Sequence, residues 1–153
     1  MQQLKILNSR EVKRIKEIVV KDFGGFLQED YAYLQNEKGK VFVINKDIAR
    51  IKLENLKIDK MGLYFAEVKN NQVRLSKEGA QLLTLQNKKL QNIVSLNNNE
   101  VKDYFSGKDL DKELGENKLV LLEYEENILG CAKYKDQKIL NFLPKNHRGT
   151  VIL

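Results

Sequence analysis

Between residues 133 and 148 the sequence KYKDQKILNFLPKNHR places Lys133, Lys135, Lys138, Lys145 and Arg148 around a single acid, Asp136, together with the only histidine, His147. Lys133 and Lys135 are two apart, so on a strand they project to one face, and Lys138 follows across a turn. Cations grouped in this way attract phosphates and release counterions on binding, which makes affinity fall steeply with salt. Tyr134, with the planar groups of His147 and Arg148, could in addition stack on unpaired bases. The competing reading of the same lysines is a solvated sheet edge that deters strand-to-strand aggregation.

Other chemistry finds little support. Cys131 is the only cysteine and His147 the only imidazole, so neither a disulfide within the chain nor a zinc site of clustered Cys and His is expected. A Cys131–His147 nucleophile pair is the one such arrangement available, and Cys131 between Gly130 and Ala132 reads better as a small core residue. There is no GxGxxG, no phosphate-binding GxxxxGK[ST] and no HExxH. Glu123, Glu125 and Glu126 fall on strand-and-turn spacing that points them apart into solvent. No catalytic residue, metal ligand or cofactor is assigned.

The elements that must hold the basic residues follow from periodicity. NSREVKRIKEIVVKDFGG reads as an amphipathic helix, with Asn8 as N-cap, Glu11 in capping-box position, Val12, Ile15, Ile18 and Val19 on one face, and Gly24-Gly25 at its end. DYAYLQNEKGKVFVIN alternates as a hairpin about Asn36–Gly39, and its Tyr31, Tyr33 and Phe42 read as core. KDIARIKL, capped by Asn45, suggests a short helix. MGLYFAEVKNNQVRLS gives a second hairpin turning at Asn70-Asn71, after which Ser76 caps KEGAQLLTL. Near residue 90 the pattern changes. KLQNIVSL predicts a strand, and NNNEVKDYFSG a helix capped by Asn98 or Asn99 with Gly107 beyond its end. After the charged connection KDLDKELGEN, strands are expected at 118–125, 128–135, 138–143 and 150–153, closely spaced as in a small curved sheet or barrel.

The 153 residues carry 27 Lys and Arg against 21 Asp and Glu, a net +6 that favours a polyanionic partner. Distribution is more telling. Residues 100–126 hold nine acidic and four basic side chains, whereas 127–148 hold one acidic and five basic. No apolar run approaches the length of a membrane span and no signal peptide is evident, so a cytoplasmic protein with no membrane partner is expected.

EVKDYFSGKDL, KLVLLEY, ILGCAKY with Gly130, and KILNFLPKNHRG together resemble the PUA domain, an RNA-binding module. The preceding GKVFVINKDIARIKLENLKIDKMGLYFAEVKNNQVRLSKEGAQLL resembles the pre-PUA domain of the Nip-seven family of large-subunit ribosome biogenesis factors. The PKNHR ending is closer to the PUA tails of Sun-type RNA cytosine-5 methyltransferases. These resemblances imply an α+β chain: a pre-PUA sandwich-like domain over residues 1–90 packed on a PUA β pseudo-barrel over 91–153. They imply an archaeal-type, non-catalytic protein that binds rRNA, pre-rRNA or tRNA, working alone or with a ribosome-assembly or RNA-modifying partner. The RNA contacts that the resemblance implies are Lys133, Lys135, Lys138, Lys145 and Arg148; the residue chemistry adds Tyr134 and His147 as stacking groups, and Gly107, a helix C-cap, as a place where an RNA backbone could approach closely.

Overall fold

The computed structural model describes residues 3–46 and 62–153. The chain divides into two compact units, residues 1–91 and 92–153. The helix expected over KDIARIKL lies mostly outside the described residues.

In the first unit, helix α1 (Ser9–Phe23) begins where the sequence places it. The Asn8 side chain accepts from the Glu11 N–H, and the Glu11 carboxylate accepts in return from the Asn8 N–H. Ile15, Val19 and Phe23, four apart, form the buried stripe. Strands β1 (Lys5–Ile6), β2 (Tyr31–Gln35), β3 (Lys40–Asn45), β4 (Leu63–Lys69) and β5 (Gln72–Leu75) make an antiparallel sheet in sequence order. Asn36 holds the first hairpin turn, its side-chain oxygen accepting from the N–H groups of Lys38 and Lys40. Asn70 and Asn71 are both left-handed, the two-residue turn that suits strand twist. Phe26, Tyr33 and Phe65 pack as a triad with ring centroids 5.9 to 6.5 Å apart. Burial pushes the Tyr33 hydroxyl pKa well above its ordinary value. Tyr33 is therefore core, whereas Phe42 packs on Tyr64 at 5.6 Å, and the half-buried Tyr31 donates to Glu29 and accepts from Gln86.

Helix α2 (Lys77–Gln86) is capped by Ser76, whose Oγ accepts from the Gly79 N–H and donates to β4 carbonyls. The close approach sets a requirement at Gly79. A Cβ there would lie 2.0 Å from the Phe65 carbonyl oxygen, so only glycine lets the helix meet the strand backbone.

In the second unit, β6 (Ile93–Ser95) runs parallel to β8 (Lys118–Tyr124), and the sheet continues through β9 (Asn127–Lys135), β10 (Lys138–Ile139) and β7 (Leu110–Asp111), all antiparallel. It forms a curled half-barrel. Helix α3 (Asn98–Phe105) sends Val101 and Tyr104 into a core with Val120, Leu122, Ala132, Tyr134 and Ile139.

Four details differ from the sequence reading. The cap of α3 is Asn97, because only that asparagine has a glutamate, Glu100, three residues on to complete a capping box. The expected strand at 138–143 stops at Ile139: Asn141 instead donates its amide to the carbonyls of Tyr104 and Lys108, and its N–H bonds Asp109. Residues 150–153 form no strand. The charged connection, by contrast, contains one, β7, paired to β10.

Glu100 also takes the Lys112 ammonium at 2.7 Å, tying the segment after β7 to the start of α3. Burial raises the Glu100 pKa, but the Lys112 hydrogen bond, the Asn97 N–H and the Lys112 charge together outweigh it, so the net shift is downward. A carboxyl depressed in the folded state stabilises the fold above its unfolded pKa and loses that contribution as pH falls through the lowered folded value. Glu100→Gln is accordingly expected to flatten the loss of stability below the ordinary value of 4.5, read by thermal unfolding across acid pH. Gly79→Ala should destabilise the chain by about 1–3 kcal/mol through overpacking, checked by denaturant unfolding.

Candidate nucleic-acid interface

The alternation of β9 decides where its side chains go. Ala132 and Tyr134 point into the half-barrel, so Lys133 and Lys135 stand on the opposite face. Lys138 on β10 is the direct partner of Lys135, while Ile139 opposite Tyr134 points inward. The three lysines form one outward group. Lys138 also reaches Asp111 on neighbouring β7 at 3.1 Å, an exposed pair that moderates its charge without removing it. Lys133 and Lys135 have no acidic partner among the described residues.

Tyr134 does not join them. It is 0% exposed, and its hydroxyl accepts from the Leu114 N–H and donates to the Lys112 carbonyl at 2.6 Å. A ring enclosed this way cannot stack on a base, which corrects the expectation drawn from its place between two lysines.

Lys145, His147 and Arg148 lie on the tail, which a short 3-10 turn (Lys145–His147) folds back to the end of α3. The Gly149 N–H donates to the Phe105 carbonyl at 2.7 Å. Gly107, at φ 101°, completes a Schellman end to the helix: its N–H bonds the Tyr104 carbonyl and the Lys108 N–H bonds that of Asp103. The Arg148 stem lies over Gly107, where a Cβ would come within 2.8 Å of Cδ, and Arg148 Nε donates to the Leu143 carbonyl at 3.0 Å. The exposed Arg148 side chain thus occupies the space above Gly107 where the sequence reading placed an approaching RNA backbone. All three tail residues, Lys145, His147 and Arg148, are exposed.

The predicted cations therefore fall into two groups. One sits outside the β9–β10 ladder, and the other at the C-terminal end of α3, the helix packed on the inner face of the same sheet. Lys102, in the last turn of α3, and Lys108, just past Gly107, belong with the second group. The linear reading missed them because they fall inside the acidic stretch 100–126. Their signal was position: cations near a helix C-terminus complement its dipole. Within residues 92–153 nine basic side chains meet ten acidic ones, so the chain's positive excess resides in residues 1–91, at +7.

Among the described residues no group of His, Cys, Asp and Glu is placed to hold a metal ion. No helix among them is long and apolar enough to cross a membrane.

Residues 91–148 match the family model described as the methyltransferase RsmF PUA domain. The chain carries a PUA domain. Its match is to the methyltransferase type and lends no specific support to the Nip-seven family. PUA domains generally bind RNA. Comparison of the chain with curated proteins found no match.

Gly107→Ala is expected to cost about 1–2 kcal/mol, the penalty of a side chain at left-handed φ, and to displace Arg148. Thermal unfolding measures the first effect, and loss of protection of the Gly149 amide in hydrogen exchange the second.

Proposed function

We propose that the chain is a non-catalytic RNA-binding protein that acts on rRNA or pre-rRNA in ribosome biogenesis or RNA modification. The observation that carries this reading is the outward trio Lys133, Lys135 and Lys138 on the sheet of a PUA domain, two of its members without an acidic partner among the described residues. Such ammonium groups fix the register of a phosphate backbone, while any sequence preference comes from unpaired bases in the adjoining surface. Lys145, His147, Arg148, Lys102 and Lys108 supply a second set of contacts. The tail resemblance to Sun-type RNA methyltransferases and the methyltransferase-type PUA match both favour a role in RNA modification, which we place in the cytoplasm. The resemblance of the N-terminal segment to the Nip-seven family favours ribosome assembly.

A second reading is an accessory role, in which the N-terminal unit engages a modifying or assembly enzyme. The +7 charge of residues 1–91 lies outside the PUA domain and favours an anionic partner for the N-terminal unit, which an acidic protein surface would meet.

Replacing Lys133, Lys135 and Lys138 together with alanine should weaken binding of single-stranded rRNA fragments and reduce the log–log salt slope by about 2, with unfolding unchanged. Filter binding over a salt series measures this. An unaltered slope would remove the trio from the interface, and retention of no RNA by the intact chain would transfer the weight to the accessory reading.

A further inference from the structure

The N-terminal unit contains an open groove of about 910 Å³ between α1 and the β1–β2 end of its sheet. Its floor is apolar, with Leu7, Val12 and Leu27 among its lining, and its walls expose Ile6 at 50% and Val20 at 39%. Aliphatic side chains this open on both sides of one depression lose free energy to water that a complementary apolar surface would recover.

The rim is charged unequally. On the sheet side the charges are already engaged: Lys46 pairs with Asp30 at 2.8 Å, and Glu29 accepts from the Tyr31 hydroxyl at 3.0 Å. On the helix side Lys13 and Lys16 have no acidic partner among the described residues. Lys21 lines the same side, with Glu17 beside it, and Arg10 is exposed nearby, whereas Arg14 donates to the Asn71 side-chain oxygen in the β4–β5 turn. The occupant that fits is therefore apolar along one face and anionic along the flank that meets α1.

Polynucleotide meets the second condition but not the first. Bases need open ring faces, and the aromatic groups here are closed to them: Phe26 and Tyr33 are 6% and 5% exposed, and Tyr31 is held by Glu29 and Gln86. An amphipathic helix meets both, laying its apolar residues on aliphatic walls.

We propose that this groove docks an acidic amphipathic helix of a partner protein, its apolar face between Ile6 and Val20 and its carboxylates against Lys13 and Lys16. The inference stands apart from RNA binding by the PUA domain.

The test uses the full chain and a fluorescein-labelled synthetic peptide of about four helical turns, with leucines on one face and glutamates elsewhere. Controls are a scrambled peptide of the same composition, a version with lysine in place of glutamate, and a single-stranded RNA oligonucleotide. Fluorescence anisotropy is expected to show the acidic peptide binding about tenfold tighter than either peptide control, weakening as salt rises. Lys13→Glu/Lys16→Glu, which leaves the core untouched, should reduce that affinity about tenfold and shift preference toward the lysine peptide. Val20→Asp should weaken binding with an unchanged circular dichroism spectrum, and the Lys133/Lys135/Lys138 alanine variant should leave it unaffected. Equal binding of acidic and scrambled peptides, or indifference to Lys13→Glu/Lys16→Glu, overturns the proposal. Loss of oligonucleotide binding in that variant, without peptide binding by the parent chain, reassigns the surface to nucleic acid.

Discussion

A buried phenol must have its hydroxyl satisfied, and in residues 92–153 that condition falls on Tyr134. Its oxygen gathers the backbone at the start of the β7–β8 connection, at Lys112 and Leu114. The ring meanwhile fills the hollow of the half-barrel beside Val101 and Tyr104. Because strand side chains alternate, anchoring this one residue inward obliges Lys133 and Lys135 to face outward. A one-residue slip would bury two ammonium groups and expose a large ring. Register and cationic surface are thus one constraint seen from two sides.

A second constraint governs the tail. A helix C-terminus leaves carbonyls without partners, and those of α3 are met by the Gly107 turn, the Asn141 amide and the Gly149 N–H. Residues 141–149 are therefore part of how α3 ends, and Lys145, His147 and Arg148 are displayed where helix capping puts them.

Features set by near neighbours in sequence were legible. The capping box of α1, the Asn70-Asn71 turn and the Ser76 cap each depend on groups within three or four residues. Asn97 was equally accessible, since among three successive asparagines only it stands three before a glutamate. The position of Tyr134 was legible too: period-two alternation that unites Lys133 and Lys135 necessarily excludes the residue between them. What could not be read were effects of distant partners. Nothing local announces that Asn141 leaves the ladder for the Tyr104 and Lys108 carbonyls, that Lys138 meets Asp111, or that Arg148 covers Gly107. The groove beside α1 was hidden for the same reason, because β1 and β2 supply its far wall.

The β8–β9 hairpin turns at Glu125 and Glu126, both left-handed at φ 48° and 68°. Asn-Gly would adopt this geometry freely, whereas two glutamates resist it by sterics and by mutual repulsion. The turn therefore holds the hairpin less firmly than Asn-Gly would, and the pairing of β8 with β9 rests on the apolar contacts of Val120 and Leu122 with Ala132 and Tyr134.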